Sequence, residues 1–130
     1  MKAKLIAAFG YQGDAMALPV ADAEASAAFY ERGFGLRVVD RKEAPTRTVV
    51  LERDGVRMAV TESGGDPEQD GCAFHTDDIE TLRNEFISNG LDKIGEISSE
   101  TRKDGSRFRA FFAVAPDGLC FWFGQRVSDE

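Results

Sequence analysis

Hydrophobic and polar positions along this chain follow two periods, and the succession of periods occurs twice. Two-residue alternation and short apolar runs mark strands at 15–20, 36–41, 47–53 and 56–61, and a 3.6-residue pattern between the first two marks a helix at 22–32. The same order returns as strands at 72–76, 93–97, 107–114 and 119–125, with a helix at 78–89. Asp22 is placed to cap the first helix, Ala25, Ala28 and Phe29 form its expected apolar face, and Gly33 and Gly35 end it. In the second helix Asp77 and Glu80 have capping-box spacing, Ile79, Leu82 and Phe86 mark the buried stripe, and Asn89 with Gly90 stops it.

The repeat is explicit in its offsets. Ala17, Leu18, Val20 and Asp22 correspond to Ala73, Phe74, Thr76 and Asp78, 56 positions on, and Asp54, Gly55, Met58 and Val60 correspond to Asp117, Gly118, Phe121 and Phe123, 63 positions on. The pattern is α+β: two tandem βαβββ modules, the first over about 13–62 and the second over about 71–126, joined by a polar connector at 62–71 that holds Gly64, Gly65 and Pro67. At 130 residues the chain fits one domain. The two modules together predict an open, barrel-like, eight-stranded mixed sheet with a cleft inside its curve.

Both Asp-Gly pairs predict two-residue type I′ hairpins, which set strand register and hence the face of each side chain. About the first turn, Thr48, Val50 and Glu52 share the cleft face with Ala59. About the second, the same reasoning turns Arg109, Phe111, Ala113, Cys120 and Trp122 to the cleft, and Phe108, Phe112, Val114, Phe121 and Phe123 to the helix. His75 stands four residues after Gly71, so strand parity puts both on the cleft side.

Composition narrows the partners. Sixteen basic against 23 acidic residues give a formal charge of −7, which repels phosphate backbones and anionic lipid, so neither nucleic acid nor a membrane is expected as a partner. The apolar run from Leu5 to Phe9 is too short for a signal-peptide core or a membrane span, and a cytoplasmic protein is expected. Cys72 and Cys120 lie in apolar strand segments and read as reduced packing residues. Arg102, Lys103, Arg107 and Arg109 form the one basic patch of an acidic chain. Solvated surface is its expected role, with an anion clamp by Arg109 as the alternative.

The segment LPVADAEASAAFY at 18–30, with GFGLRV at 33–38, resembles the opening strand-helix motif of the vicinal-oxygen-chelate superfamily, which includes the glyoxalase and bleomycin-resistance proteins. FHTDDI at 74–79 and PDGLCFWF at 116–123 resemble its second-half counterparts, so the resemblance covers nearly the whole chain. It implies the glyoxalase/bleomycin resistance fold, a homodimer and a cleft for a small molecule. Metal-dependent relatives hold a divalent ion with four side chains, and the equivalent positions here are Ala15, Ala59, Gly71 and Trp122. None of these carries a lone pair able to coordinate a cation, so no metal and no cofactor are expected.

The resulting expectation is a small-molecule-binding protein, most like the metal-free bleomycin-resistance branch, that takes a planar or aromatic ligand. The candidate ligand-binding residues are Trp122, Phe111, His75, Arg109, Thr48 and Val50; no catalytic residue is assigned. The alternative is a glyoxalase-type lyase or related enzyme of the same superfamily, metal-dependent or using His75 as acid or base. A third reading is an accessory module with a vestigial cleft.

Overall fold

Each helix begins where a carboxylate can take free backbone N–H groups. In a computed structural model, which describes residues 3–11 and 14–127, Asp22 accepts from Ala25 N at the start of α1 (Ala23–Gly33), and Asp78 accepts from Thr81 N at the start of α2 (Ile79–Ser88). The expected cap Asp77 instead accepts from Lys4 N, so the second cap sits one residue later than the capping-box spacing implied. A further acceptor comes from the end of each module's last strand: Ala23 N donates to Glu62 Oε2, and Ile79 N donates to Gln125 Oε1. Gly13, the expected start of module one, lies outside the described residues.

The strands form two sheets rather than one eight-stranded sheet. β2 (Leu18–Pro19), β3 (Arg37–Lys42), β4 (Thr48–Arg53) and β5 (Val56–Thr61) lie in the order β2-β5-β4-β3. β1 (Leu5–Gly10), β6 (Gly71–Thr76), β7 (Ser98–Thr101), β8 (Arg107–Val114) and β9 (Cys120–Val127) lie in the order β1-β6-β9-β8-β7. The β2–β5 and β6–β9 pairs are parallel, and every other neighbouring pair is antiparallel.

Three local departures from the expected pattern have visible causes. The apolar run at 5–9 is an edge strand, because it finds β6 as a partner. The strand expected at 15–20 is cut short, because the Asp14 side chain accepts from Met16 N and folds Ala15–Ala17 into a 3₁₀ turn before β2. The strand expected at 93–97 makes a single bridge, Ile94 to Ala113, and regular pairing with β8 falls instead to Ser98–Thr101.

The two Asp-Gly turns differ, and the difference orients half of the molecule. Asp54 and Gly55 have φ of 55° and 80°, so β4 and β5 are joined by the expected type I′ turn, with Arg53 opposite Val56 and Thr48 opposite Thr61. Between β8 and β9 only Gly118 of the pair has a positive φ, and Val114 lies opposite Cys120 across a loop at 115–119. Ala113 therefore faces Phe121 rather than Trp122. A one-residue slip reverses the face of every β8 side chain relative to β9.

Both helices and one side of each sheet share a single core. Tyr30, Ile79, Leu82, Phe86, Met58 and Phe74 belong to it together with Phe111, Phe121 and Phe123. Phe34 occupies its middle, with the rings of Phe86, Phe121 and Phe123 at 4.9, 5.1 and 5.1 Å. On α1 the buried residues are Ala23, Ser26, Ala27, Tyr30 and Gly33, whereas Ala25 and Ala28 are exposed. The expected stripe was displaced because two hydroxyl residues face inward. Ser26 Oγ and Tyr30 Oη both donate to Asp117 Oδ2, at the β8–β9 turn.

That bond ties a turn of module two to the helix of module one, and a reciprocal tie exists. Arg53, at the end of β4, donates through Nη1 and Nη2 to both oxygens of Glu85 on α2, each at 2.8 Å. The modules are interlocked helix to turn in both directions. Among the described residues no helix is long and apolar enough to cross a membrane.

Candidate functional site

Because both sheets turn one side to the common core, their other sides lie outside it. On the five-stranded sheet that outer side carries an aromatic group. Phe108, Ala110 and Trp122 form a second buried cluster, with Ala73 against it. The His75 ring lies 5.4 Å from Phe108 and 5.7 Å from Trp122, and Phe108 lies 5.6 Å from Trp122. Phe9, from the edge strand, adds a ring 5.4 Å from His75 and is itself 56% exposed, as Phe112 is 49% exposed.

Trp122 is 4% exposed within this arrangement. Its indole extends along β9 across Gly124, where a Cβ would overlap the six-membered ring, so glycine is required at 124 for this rotamer. Nε1 donates to Glu100 Oε2 on β7 at 2.9 Å. The guanidinium of Arg102, in the β7–β8 loop, covers the group, with Cζ 4.8 Å from the Trp122 ring centre and 5.0 Å from that of Phe108. Gly71 is constrained in the same way: a side chain there would run into Cys120 O and the Tyr11 ring.

Burial, and then the Arg102 charge, push the His75 imidazole below its ordinary pKa, which favours the neutral ring near pH 7. Its ring neighbours are Phe9, Phe108 and Trp122. Cys72 faces the core, where burial raises its thiol to about 12, and burial raises the Cys120 thiol as well. Both are free thiols, and neither is activated as a nucleophile.

The structure sorts the candidate binding residues into three places. His75 and Trp122 come together on the outer face. Phe111 does not join them: it is 1% exposed in the common core, with its ring 5.2 Å from Phe123, because the slipped register turns it inward. Arg109 has the same parity as Phe111 and pairs at the surface with Glu80 of α2 at 3.0 Å. Thr48 and Val50 lie on the side of the four-stranded sheet away from the core, where Thr48 Oγ1 donates to Thr61 Oγ1. No ring contact or hydrogen bond among the described residues joins them to His75 or Trp122. The single cleft expected within one chain is therefore two separate faces.

Phe108, Glu100 and Arg102 were not among the candidates. The expected type I′ turn puts Phe108 on the helix side, Glu100 belongs to a strand that the sequence pattern places at 93–97, and Arg102 stands in the loop before β8 with the basic patch, whose expected role is solvated surface.

The positions equivalent to metal ligands offer no donor set. Ala15 stands in the 3₁₀ turn, Ala59 and Gly71 have no donor atom in their side chains, and Trp122 presents an indole N–H already given to Glu100. Among the described residues no group of three His, Cys, Asp or Glu side chains is arranged to hold an ion. The residues present do not fit the divalent metal of metal-dependent relatives.

Two concavities flank these features. One, of about 510 Å³, adjoins the aromatic group and is lined by Arg102, Lys103, Asp104, Ser106, Phe108 and Arg126. The other, of about 360 Å³, lies between α1 and the β8–β9 turn. Its carboxylates are engaged, Asp117 by Ser26 and Tyr30, and Asp22 by the helix it caps.

Comparison with known proteins agrees with this architecture. Comparison with curated proteins found no match. Among solved structures, a bleomycin resistance determinant encoded on the transposon Tn5 is 26% identical, covering 85% of this chain and 93% of its own, with a TM-score of 0.64. A bleomycin-binding protein complexed with bleomycin is 26% identical over 84% of this chain and 93% of its own, with a TM-score of 0.63. TnmS3, an antibiotic binding protein from Streptomyces sp. CB03234, is 15% identical over 86% and 93%, with a TM-score of 0.68, and shares the fold. The family model for the glyoxalase/bleomycin resistance protein/dioxygenase superfamily matches residues 13–123, and the chain belongs to that superfamily.

Proposed function

We propose that this protein binds a small molecule with a planar or aromatic part on the outer face of its five-stranded sheet. The observation that carries the reading is the group of Trp122, Phe108 and His75. Three rings stand outside the main core, with ring centres 5.4 to 5.7 Å apart, and the exposed Phe9 and Phe112 lie on the same sheet. Phe9, Phe112 and the half-buried His75 supply the exposed aromatic area of this wall, and the buried Phe108 and Trp122 back it. The similar protein described as bleomycin-binding supports binding as the activity.

A homodimer belongs to the same proposal. The outer face of the four-stranded sheet, with Thr48 and Val50, is the natural wall to bring from a second copy opposite Trp122 and His75, since one chain keeps these faces apart. A cytoplasmic location fits the two free thiols.

The protein has a single tryptophan, so its fluorescence reports this face directly. Titration with bleomycin, a flavin and an aromatic glutathione conjugate is expected to change Trp122 emission for at least one of them and to raise the melting temperature in proportion to occupancy. Silence in both signals at millimolar concentrations of all three would reject this face as a binding site.

The protein is also proposed to act without a metal. Zinc, nickel, manganese and iron at tenfold excess are expected to leave the melting temperature unchanged, and protein purified without chelators is expected to hold no stoichiometric ion. One equivalent of metal, retained through gel filtration and lost on mutation of Glu62 or His75, would overturn this.

A further inference from the structure

We infer that the ligand of the aromatic face is an anion, an oxyanion carried on an aromatic body, with Arg102 as its clamp. This rests on the proposed binding role of that face and names the chemical class it selects.

The argument begins with how Arg102 is held. Its guanidinium lies within 5.0 Å of the ring centres of both Phe108 and Trp122. The two rings are inclined at 66° to each other, and contact of the guanidinium with both restrains its position through cation–π attraction, which takes up none of its N–H donors. Those donors are unspent on charge: no ion pair among the described residues involves Arg102, Lys103 or Arg126. The arginine fork is thus positioned in advance by two rings, which reduces the conformational entropy lost when it grips a planar oxyanion.

The surroundings favour the same sign of ligand. The concavity of about 510 Å³ beside the rings has three cationic residues in its lining, Arg102, Lys103 and Arg126, against one acid, Asp104. Asp104 is engaged locally, accepting from Ser106 N at 2.8 Å and from Ser106 Oγ at 2.6 Å. Hydrogen bonds from neutral donors do not remove charge, and Glu100 accepts from Trp122 Nε1 beside the same group, so by formal charge three cations stand against two acids, a local excess of 3 − 2 = +1. A concentration of positive charge in a protein of formal charge −7 makes this a local attractor for anions on a surface that otherwise repels them.

Phe108 connects the two halves of the ligand. It lines the concavity, stands against Trp122 and faces Arg126 across the β8–β9 ladder. A ligand ring set in the concavity, beside the part of Phe108 that lines it, would place an attached carboxylate, sulfonate or phosphate toward Arg102 and Arg126. A planar cation in the same place would meet the like charges of Arg102, Lys103 and Arg126.

An isosteric series separates these cases: 2-naphthoate, 2-naphthamide and 2-naphthylmethylammonium, titrated calorimetrically into the full chain, with 2-naphthalenesulfonate and 2-naphthyl phosphate to tell one oxyanion from another. The expected result is 2-naphthoate at least tenfold tighter than the amide, with the ammonium weakest and the preference shrinking as salt rises. Arg102→Ala should lower naphthoate affinity at least tenfold and leave amide affinity within threefold, and Arg126→Ala should act in the same direction by a smaller factor. Both substitutions lie at exposed positions, and melting temperatures verify the fold. Equal binding of naphthoate and amide overturns the anion assignment while leaving the aromatic face as a binding site. So does tighter binding of any member by Arg102→Ala, since Arg102 would then be a plug. If no member of the series binds at millimolar concentration while bleomycin or a flavin does, the anion assignment falls alone; if none of these binds, the reading of the face falls with it.

Discussion

Arg53→Ala is expected to destabilise the protein by about 3 to 5 kcal/mol, the range seen when one partner of a buried ion pair is removed. Arg53 and Glu85 have side chains only 8% and 14% exposed, and their contact is two-pronged at 2.8 Å. The same guanidinium donates to Phe34 O at 2.7 Å and to Ala3 O at 3.0 Å. Truncation leaves a largely buried carboxylate and two carbonyl groups without this donor and releases α2 from the end of β4, while Leu5 N keeps its own bond to Asp54 of the turn. Urea denaturation of the variant measures the loss. The double substitution Arg53→Met with Glu85→Leu should recover much of it, because the desolvation cost of both charges disappears together. A loss below about 1 kcal/mol in the single variant, the level of an exposed pair, would mean that the modules are not locked through this contact. Arg41 and Glu24, which also pair at 2.9 Å but are about half exposed, provide the control, and their removal is expected to have little effect.

The contrast between the two Asp-Gly turns explains how much of this molecule was legible in its sequence. Two βαβββ units, the helix-starting Asp22, the buried stripe of Ile79, Leu82 and Phe86, and the full β4–β5 register follow from period, cap and turn chemistry, all of which are local. At the second turn the same dipeptide is preceded by Pro116, and the Asp117 side chain accepts from Ser26, Tyr30 and Leu119 N. A tertiary demand on that carboxylate replaces the type I′ geometry with a longer loop. Parity counted from the dipeptide then fails by one residue. That parity puts Phe111 and Arg109 on the cleft side and Phe108 on the helix side, whereas Phe111 lies in the core, Arg109 at the surface beside α2, and Phe108 on the outer face.

Other misplacements share this origin in long-range partners. The 5–9 run looks like an isolated apolar stretch until β6 supplies its hydrogen bonds, and Ser26 and Tyr30 look like solvent-facing helix residues until Asp117 supplies theirs. His75 and Trp122 share one face of the sheet, as parity counted within a single strand implies with no partner strand needed. What single-strand parity could not give was the lid on that face. Glu100 and Arg102 depend on β7, a polar four-residue edge strand whose sequence carries no apolar alternation.

Trp122→Ala is expected to reduce both stability and binding, and the pair of effects tests the dual position of this side chain. The indole is 4% exposed, spans Gly124, is flanked by His75 and Phe108, and gives its N–H to Glu100. Loss of a large buried aromatic typically costs about 3 to 5 kcal/mol, and alanine here also leaves Glu100 without its donor and Arg102 with one ring in place of two. The indole is nevertheless outside the main core, so the common packing around Phe34 should survive and the variant should remain folded at low temperature. In that folded population, affinity for any ligand that perturbs wild-type Trp122 emission is expected to fall at least tenfold, measured by calorimetry because the probe itself is gone. Trp122→Phe should restore much of the stability, and part of the affinity through its remaining ring. A large stability loss with unchanged affinity would show that the indole only fills space over Gly124 and would remove it from the binding site. A small stability loss with abolished affinity would show the opposite, a ring held for the ligand alone.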